Sequence, residues 1–241
     1  MSKEKLLLVG AGGFGRMVAE QAMLQYDCAF VDDGQLVGVE ICGISVVGGL
    51  ADLPELRKEY SLLVVGIGNN QFRAQVYEKA NALGYGFPNI VAPSAYISPY
   101  AKLGCGCVVL QNACVQNGAS VGSGVLLNAG TEVHCDAAVG DYALIYTNSV
   151  IRTGATVGSL TRIGSNVTVC NHAVVPDGAD IPDCTAVNRF FQTVYILVNT
   201  LDLIDRDIFS IPDDSIRTPL DHDLESVLLH RMAQRHLRLI P

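Results

Sequence analysis

From Ile97 onward an aliphatic residue recurs every six positions without a break: Ile97, Leu103, Val109, Val115, Val121, Leu127, Val133, Val139, Ile145, Ile151, Val157, Ile163, Val169, Val175 and Ile181. An amphipathic helix repeats near 3.6 residues and a half-buried strand at two, so a strict six belongs to neither. Two positions before each aliphatic stands a small or β-branched residue, among them Ala95, Ala101, Cys107, Thr131, Ser149 and Ala179. Glycine often follows the aliphatic, as at Gly104, Gly122, Gly140, Gly158 and Gly164. One large and one small inward position per six residues predicts an all-β, left-handed parallel β-helix over 92–187. Six residues make one side of a triangular coil and eighteen make a turn. Five turns stacked at a strand spacing of about 4.8 Å give a prism roughly 24 Å tall. A generic β-sandwich does not produce fifteen matches in a row.

Residues 1–91 alternate strand and helix signals and predict a parallel, Rossmann-like α/β domain. Leu6–Val9, Cys28–Val31 and Leu62–Val65 read as strands, with helices running to about Leu24 and Leu83. The turn after the first strand, Gly10-Ala11-Gly12-Gly13-Phe14-Gly15, has the G-x-G-x-x-G spacing in its strand–turn–helix setting. There, backbone N–H groups at a helix N-terminus can face a phosphate. Asp32 lies about 20 residues on, where such folds place a ribose-binding acid, and Asp33 adjoins it. The third strand ends in Gly66-Ile67-Gly68-Asn69-Asn70. Gly10, Gly12, Gly13, Phe14, Asp32, Asp33, Gly68 and Asn69 are therefore the candidate substrate-binding residues. A nucleotide or nucleotide-sugar ligand is the leading reading. A structural glycine turn comes second, and a dinucleotide comes last, because no catalytic domain of an oxidoreductase stands behind the motif.

Composition narrows the partners. The net charge is −8 and no Lys or Arg cluster is apparent, which argues against nucleic acid. No segment approaches the roughly 18 apolar residues of a membrane span, and the start lacks a signal-peptide core, so a cytoplasmic location is expected. The eight cysteines include no pair of C-x-x-C motifs, so neither zinc nor any other metal is expected. Beyond the repeat, 188–241 reads as a helical extension. One helix is expected near 190–209 and a second near 218–239, with Thr218 as N-cap, Pro219 next and Asp221 in the first turn. Arg231, Arg235 and Arg238 lie toward the second helix's negative end. The tail is expected to cap the prism or to contact another subunit.

The order of motifs is informative: G-A-G-G-F-G-R (Gly10–Arg16), F-V-D-D (Phe30–Asp33), G-I-G-N-N (Gly66–Asn70), P-S-A (Pro93–Ala95), then uninterrupted hexapeptides. Over residues 5 to about 181 this resembles the sialic acid O-acetyltransferase family, which includes the bacterial UDP-amino-sugar N-acetyltransferases. The resemblance implies a homotrimer that uses acetyl-CoA. The sugar substrate would sit on the N-terminal domain and the acyl donor in the groove between adjacent β-helices. The family's catalytic pattern is aliphatic-Glu-His-Asp-x-x-aliphatic-Gly-Asp, with the histidine as base. Here Val133 and Val139 are the aliphatics and Gly140-Asp141 come next, so His134 falls on the glutamate position, Cys135 on the base and Asp136 on the aspartate. Two further family histidines correspond to Leu144 and Ala92.

His134, Cys135 and Asp136 are thus the catalytic candidates. His134 is either the base, oriented by Asp136, or an exposed corner histidine without a task. Cys135 is either a nucleophile, since a thiolate is reactive, or a neutral remnant of a lost base. His172 lies outward on a later coil, and His222, His230 and His236 read as tail surface. Two functions are consistent with these residues. One is acetyl-CoA-dependent N- or O-acetyl transfer to an amino sugar, nucleotide sugar or sialic-acid-like sugar. The other is a degenerate homologue that binds a nucleotide or sugar as a regulatory or scaffolding subunit. Trimer packing is expected to cover the outward apolar residues Val108, Leu126 and Leu144.

Overall fold

The computed structural model describes residues 3–188. The two helices expected over 190–239 and every residue assigned to them lie outside that range. The N-terminal part comprises β1 (Glu4–Val9), α1 (Gly13–Ala22), β2 (Tyr26–Val31), β3 (Glu40–Ile41), β4 (Ile44–Gly48), α2 (Leu53–Leu56), β5 (Leu62–Val65) and α3 (Asn70–Ala82). The sheet runs β3-β4-β2-β1-β5, parallel except for the short β3–β4 hairpin. That hairpin and the one-turn α2 go beyond the three strands and two helices read from the sequence. Successive residues of β1 serve opposite faces, as strand geometry requires. Leu6 and Leu8 join the core on the α1 side, whereas Leu7 and Val9 join the core under α2 and α3.

From Ile90–Val91 to Ala186–Val187 the chain forms seventeen two-residue strands in three parallel sheets of six, five and six. Each strand pairs with the one eighteen residues on, for example Val115 with Val133 and Val133 with Ile151. Three flat faces result. Face I carries Ile90–Val91, Val108–Val109, Leu126–Leu127, Leu144–Ile145, Arg162–Ile163 and Asp180–Ile181. Face II starts at Tyr96–Ile97 and face III at Lys102–Leu103. The hexad aliphatics point inward, and from Val109 upward all are buried. The inward hydroxyls Thr131, Ser149 and Thr161 bond to the carbonyls of Asn128, Gly164 and Pro176 at 2.7, 2.6 and 3.0 Å, so none is a buried orphan.

The corners explain two sequence features. From Leu103 onward the third residue after each inward aliphatic turns the chain with a positive φ, at Gly106, Gly118, Gly124, Gly130 and Gly154 but also at Asn112, Asp136, Tyr142, Leu160 and His172. The glycine directly after the aliphatic is demanded by the next coil. A Cβ on Gly122 would stand 2.7 Å from the backbone N of Asp141, and one on Gly140 would stand 2.5 Å from that of Ser159. Asp141 in turn accepts the Ser123 N–H at 2.7 Å, which fastens coil to coil.

Face I corrects one expectation. Val108, Leu126 and Leu144 are covered within the chain and not by a neighbour. Each is at most 1 % exposed, packed in one core with Val18, Ala19, Ile90 and the ring of Phe14. Burying side chains of this size contributes about 1.5–3 kcal/mol each, enough to hold the N-terminal domain on the prism. Faces II and III carry no such covered apolar stripe among the described residues, and their outward residues run Tyr96, Cys114, Glu132, Val150 and Lys102, Ser120, Ala138, Thr156.

Candidate active site

The glycine-rich turn separates into glycines the fold requires and glycines it does not. Gly10 has φ +95°, open to glycine at little cost. A Cβ on Gly15 would collide with the Gly10 carbonyl, and one on Gly66 would come within 2.7 Å of the Gly15 Cα, so these glycines let α1 rest on the strand ends. A Cβ on Gly12 or Gly13 would meet nothing within 4 Å. Gly12 is the N-cap of α1 in an extended conformation, no side chain caps the helix, and its first turn holds no acid. First-turn N–H groups have no partner inside a helix, so this end is open to an anion.

Asp32 and Asp33 have structural partners. Asp32 accepts the Ala11 N–H at 2.7 Å through Oδ2 and the Gly34 N–H at 2.8 Å through Oδ1. It thereby braces the glycine-rich turn. Asp33 accepts the Leu50 N–H at 2.7 Å and fixes the turn after β4. Asn69 caps α3 by accepting the Phe72 N–H at 2.9 Å, and Gly68 lies 3.8 Å, measured from its would-be Cβ, from the Phe14 ring. The two loops therefore adjoin. Phe14 meets Tyr146 of the prism edge-on at 6.2 Å, and the Arg162 guanidinium lies 5.0 Å over the Tyr146 ring. Arg162 also pairs with Asp180 at 2.6 Å. Arg162 and Tyr146, invisible to motif reading, put a prism cation beside the loops.

His134, Cys135 and Asp136 form a corner between faces II and III. His134 Nε2 lies 2.9 Å from Glu132 Oε2, with the two side chains 24 % and 48 % exposed. This corrects the expected orienter: the carboxylate on His134 is Glu132, not Asp136. Residues i and i+2 of a strand share a face, so Glu132 and His134 both emerge outward, and the spacing alone could have found the pair. Asp136 occupies the left-handed corner with φ +57° and is exposed, packed over Gly118. Cys135 is held by Gln116, one coil below, whose Oε1 accepts the Cys135 N–H at 3.2 Å and faces its Sγ at 3.4 Å. Arg152 stands one coil above His134, exposed, with no side-chain hydrogen bond among the described residues.

The two halves of the candidate site lie apart within one chain. The II–III corner is opposite face I, where the N-terminal domain sits, so the thickness of the prism separates His134 from Gly12 and Gly13. Among the described residues no group of three or more His, Cys, Asp or Glu could hold a metal, and no helix is long and apolar enough to cross a membrane.

Residues 5–80 match the family described as the PglD N-terminal domain. No curated protein sequence matches the chain. Among solved structures, the chain is similar to the acetyltransferase domain of PglB from Neisseria gonorrhoeae, with 30 % identity and a TM-score of 0.72, covering 77 % of this chain and 92 % of that one. A histidine-to-asparagine mutant of perosamine N-acetyltransferase from Caulobacter crescentus, in complex with CoA and GDP-perosamine, matches at 25 % identity and a TM-score of 0.64, covering 74 % and 93 %. WeeI from Acinetobacter baumannii shares the fold at 19 % identity and a TM-score of 0.65, covering 77 % and 97 %. With an open glycine-rich turn on a Rossmann-like domain, an unbroken hexapeptide prism behind it, and 30 % identity across most of a solved acetyltransferase domain, the chain belongs to the bacterial sugar acetyltransferase family.

Proposed function

We propose that this chain transfers the acetyl group of acetyl-CoA to the amine of a nucleotide-linked amino sugar, with His134 as general base. The observation that carries the reading is the 2.9 Å contact of His134 Nε2 with Glu132 at a prism corner. Bound to a carboxylate on one side, the ring presents its other nitrogen to a reacting group. The sugar amine attacks the thioester carbonyl and a C–N bond forms. His134 accepts the proton released from nitrogen, the tetrahedral intermediate collapses with cleavage of C–S, and the proton passes to the departing CoA sulfur. A positioned base contributes about 10² to 10⁴ in rate. Cys135, hydrogen-bonded to Gln116, is a bystander in this scheme.

The sugar nucleotide's phosphates would lie at Gly12 and Gly13, where the fold leaves space that it has no need of, with Arg162 near the same mouth. Similarity to a protein crystallised with CoA and GDP-perosamine supports this substrate class. The working unit would be a homotrimer, because a single chain holds its substrate loops and His134 on opposite sides of the prism. A cytoplasmic location suits a donor such as acetyl-CoA.

The test is acetylation of a panel of UDP- and GDP-linked amino sugars, followed by free thiol release. Turnover lost in His134→Ala, with acetyl-CoA affinity by calorimetry retained, is the expected result. The second reading, a regulatory homologue, is favoured by Cys135 at the family's base position. It wins if the wild type acetylates none of the panel and Cys135→His switches activity on.

A further inference from the structure

Asn70, Arg73 and Tyr77 fall at i, i+3 and i+7, one stripe of α3. All three side chains donate to prism carbonyls. Tyr77 Oη donates to Gly106 O at 2.8 Å, Arg73 Nε to Gly124 O at 3.0 Å, Arg73 Nη2 to Tyr142 O at 2.5 Å, and Asn70 Nδ2 to Leu160 O at 2.9 Å. These four acceptors are eighteen residues apart and all have positive φ, at +68°, +63°, +57° and +59°. They form a single column of corners between faces III and I, one from each of four successive coils. The helix therefore runs along the prism edge with its N-terminal end at the higher coil, and its polar stripe touches these four coils in turn.

Arg73 is the centre of the stripe. It is fully buried. Burial pushes the guanidinium down to about 10, so it is charged at neutral pH, yet among the described residues no carboxylate bonds to it. Nη1 donates to Ile67 O at 2.8 Å and Nη2 also reaches Asn70 Oδ1 at 2.9 Å. One planar fork thus joins the 66–70 loop to two coils, a span that the point charge of a lysine cannot reproduce. Tyr142 belongs to the same coil as His134, eight positions further along.

We infer that the Asn70–Arg73–Tyr77 stripe is a register device: it fixes the height of the 66–70 loop along the prism so that an amino sugar held there meets the coil carrying His134. This rests on the acetyltransferase reading above, trimer included. With a three-fold axis parallel to the prism axes, coils lie at equal heights in every copy, so register on a chain's own prism is register on its neighbour's. Arg73 is a positioning residue: fully buried against carbonyls of the loop and the prism, it would act through the 66–70 loop.

The test compares Arg73→Lys with the wild-type full chain. The expected result is separate affinities for acetyl-CoA and for the acetylated sugar nucleotide unchanged within about twofold, an unchanged oligomer mass, and kcat lower by about tenfold or more, because a misplacement near 1 Å costs up to about 10² in rate. The variant's crystal structure should show the 66–70 loop displaced along the prism relative to the coil of His134. Two results overturn the inference: a folded variant with kcat and loop position unchanged, or a loss confined to sugar-nucleotide affinity, which would make the loop a simple ligand contact. If Arg73→Lys does not fold, Tyr77→Phe removes the hydrogen bond to the lowest coil, together with the one that its oxygen accepts from the Val65 N–H, at nearly constant volume, and an unchanged kcat there overturns it equally. A wild type that acetylates no amino sugar defeats the acetyltransferase reading instead, and the loop position in the two crystal structures still decides the register.

Discussion

At the scale of single residues, the proposed chemistry turns on one displaced histidine. Moving the ring from the position of Cys135 to that of His134 carries it from the corner to the end of the strand, where Glu132 is its natural neighbour. His134→Ala should lower kcat by about 10² to 10⁴, the usual contribution of a positioned base. Glu132→Gln keeps a hydrogen-bond acceptor but removes the charge that stabilises the imidazolium formed as the amine attacks, so it should lower kcat by less than His134→Ala does. Cys135→Ala should change the rate little. An essential Cys135, with an acetyl adduct visible by mass spectrometry, would replace this scheme with a covalent one. The thiols also differ among themselves. Burial pushes Cys107 up to about 11, and Cys28 likewise, whereas Cys42, Cys105 and Cys184 are exposed. The thiolate is the reactive form. Iodoacetamide at a pH of about 7.5, below the ordinary thiol range, should therefore label the exposed thiols and spare Cys107. Early modification of Cys107 would show that the lower coils open. Glu132 was legible in principle, because residues two apart on a strand share a face. Its pairing was hidden because the family pattern draws attention to the aspartate after the histidine and not to the strand residue before it.

Whole elements were legible in proportion to their periodicity. Fifteen aliphatics six apart fix the prism because only one inward direction exists per side. β1, β2, β5 and the α1 and α3 helices carry apolar runs long enough to read. The β3–β4 hairpin and α2 span two to five residues each and repeat nothing. The stripe of α3 escaped for another reason: it is polar, and its partners are backbone carbonyls that no sequence displays. Outward apolar residues on face I read as a subunit contact because a sequence does not say that the chain's own front domain covers them. The glycine-rich turn supplies the test at this scale. Gly15→Ala places a methyl against the Gly10 carbonyl, a backbone group that cannot move aside, and should destabilise the N-terminal domain by about 1–3 kcal/mol, the ordinary cost of overpacking. Gly12→Ala meets open space and should lower the melting temperature far less than Gly15→Ala, by no more than the small cost of Ala at an N-cap, while weakening sugar-nucleotide binding in calorimetry. If both variants melt alike and bind alike, Gly12 is a turn residue and the phosphate reading of the loop is wrong.

For the whole molecule, the separation of the two half-sites makes a prediction about subunits. The glycine-rich turn docks beside face I, and His134 stands on the opposite corner between faces II and III. No side-chain motion crosses a packed prism whose inward residues are buried to the last coil. Under the proposed function a neighbouring copy would bring its own His134 corner to the loops of the first, and a closed ring of three such heterologous contacts would give every chain the same role. Light scattering should return about three times 25.7 kDa. Mass alone does not locate the site, but mixing does. His134→Ala chains keep their loops and lack the base, whereas Gly13→Trp chains keep the base and have the phosphate space filled by an indole. Each homotrimer should be inactive. After joint refolding at equal amounts, a site is intact when an intact loop faces an intact base, which random assembly in a ring gives for about one quarter of sites. Recovery of about that share of wild-type activity is the expected result. If the site lay within one chain, every mixed trimer would combine only broken sites, and activity would stay at the level of the two inactive parents. That result, obtained with trimers shown by mass spectrometry to be mixed, would require the loops and His134 to meet in a single chain, and the opposed arrangement could not then be the working one.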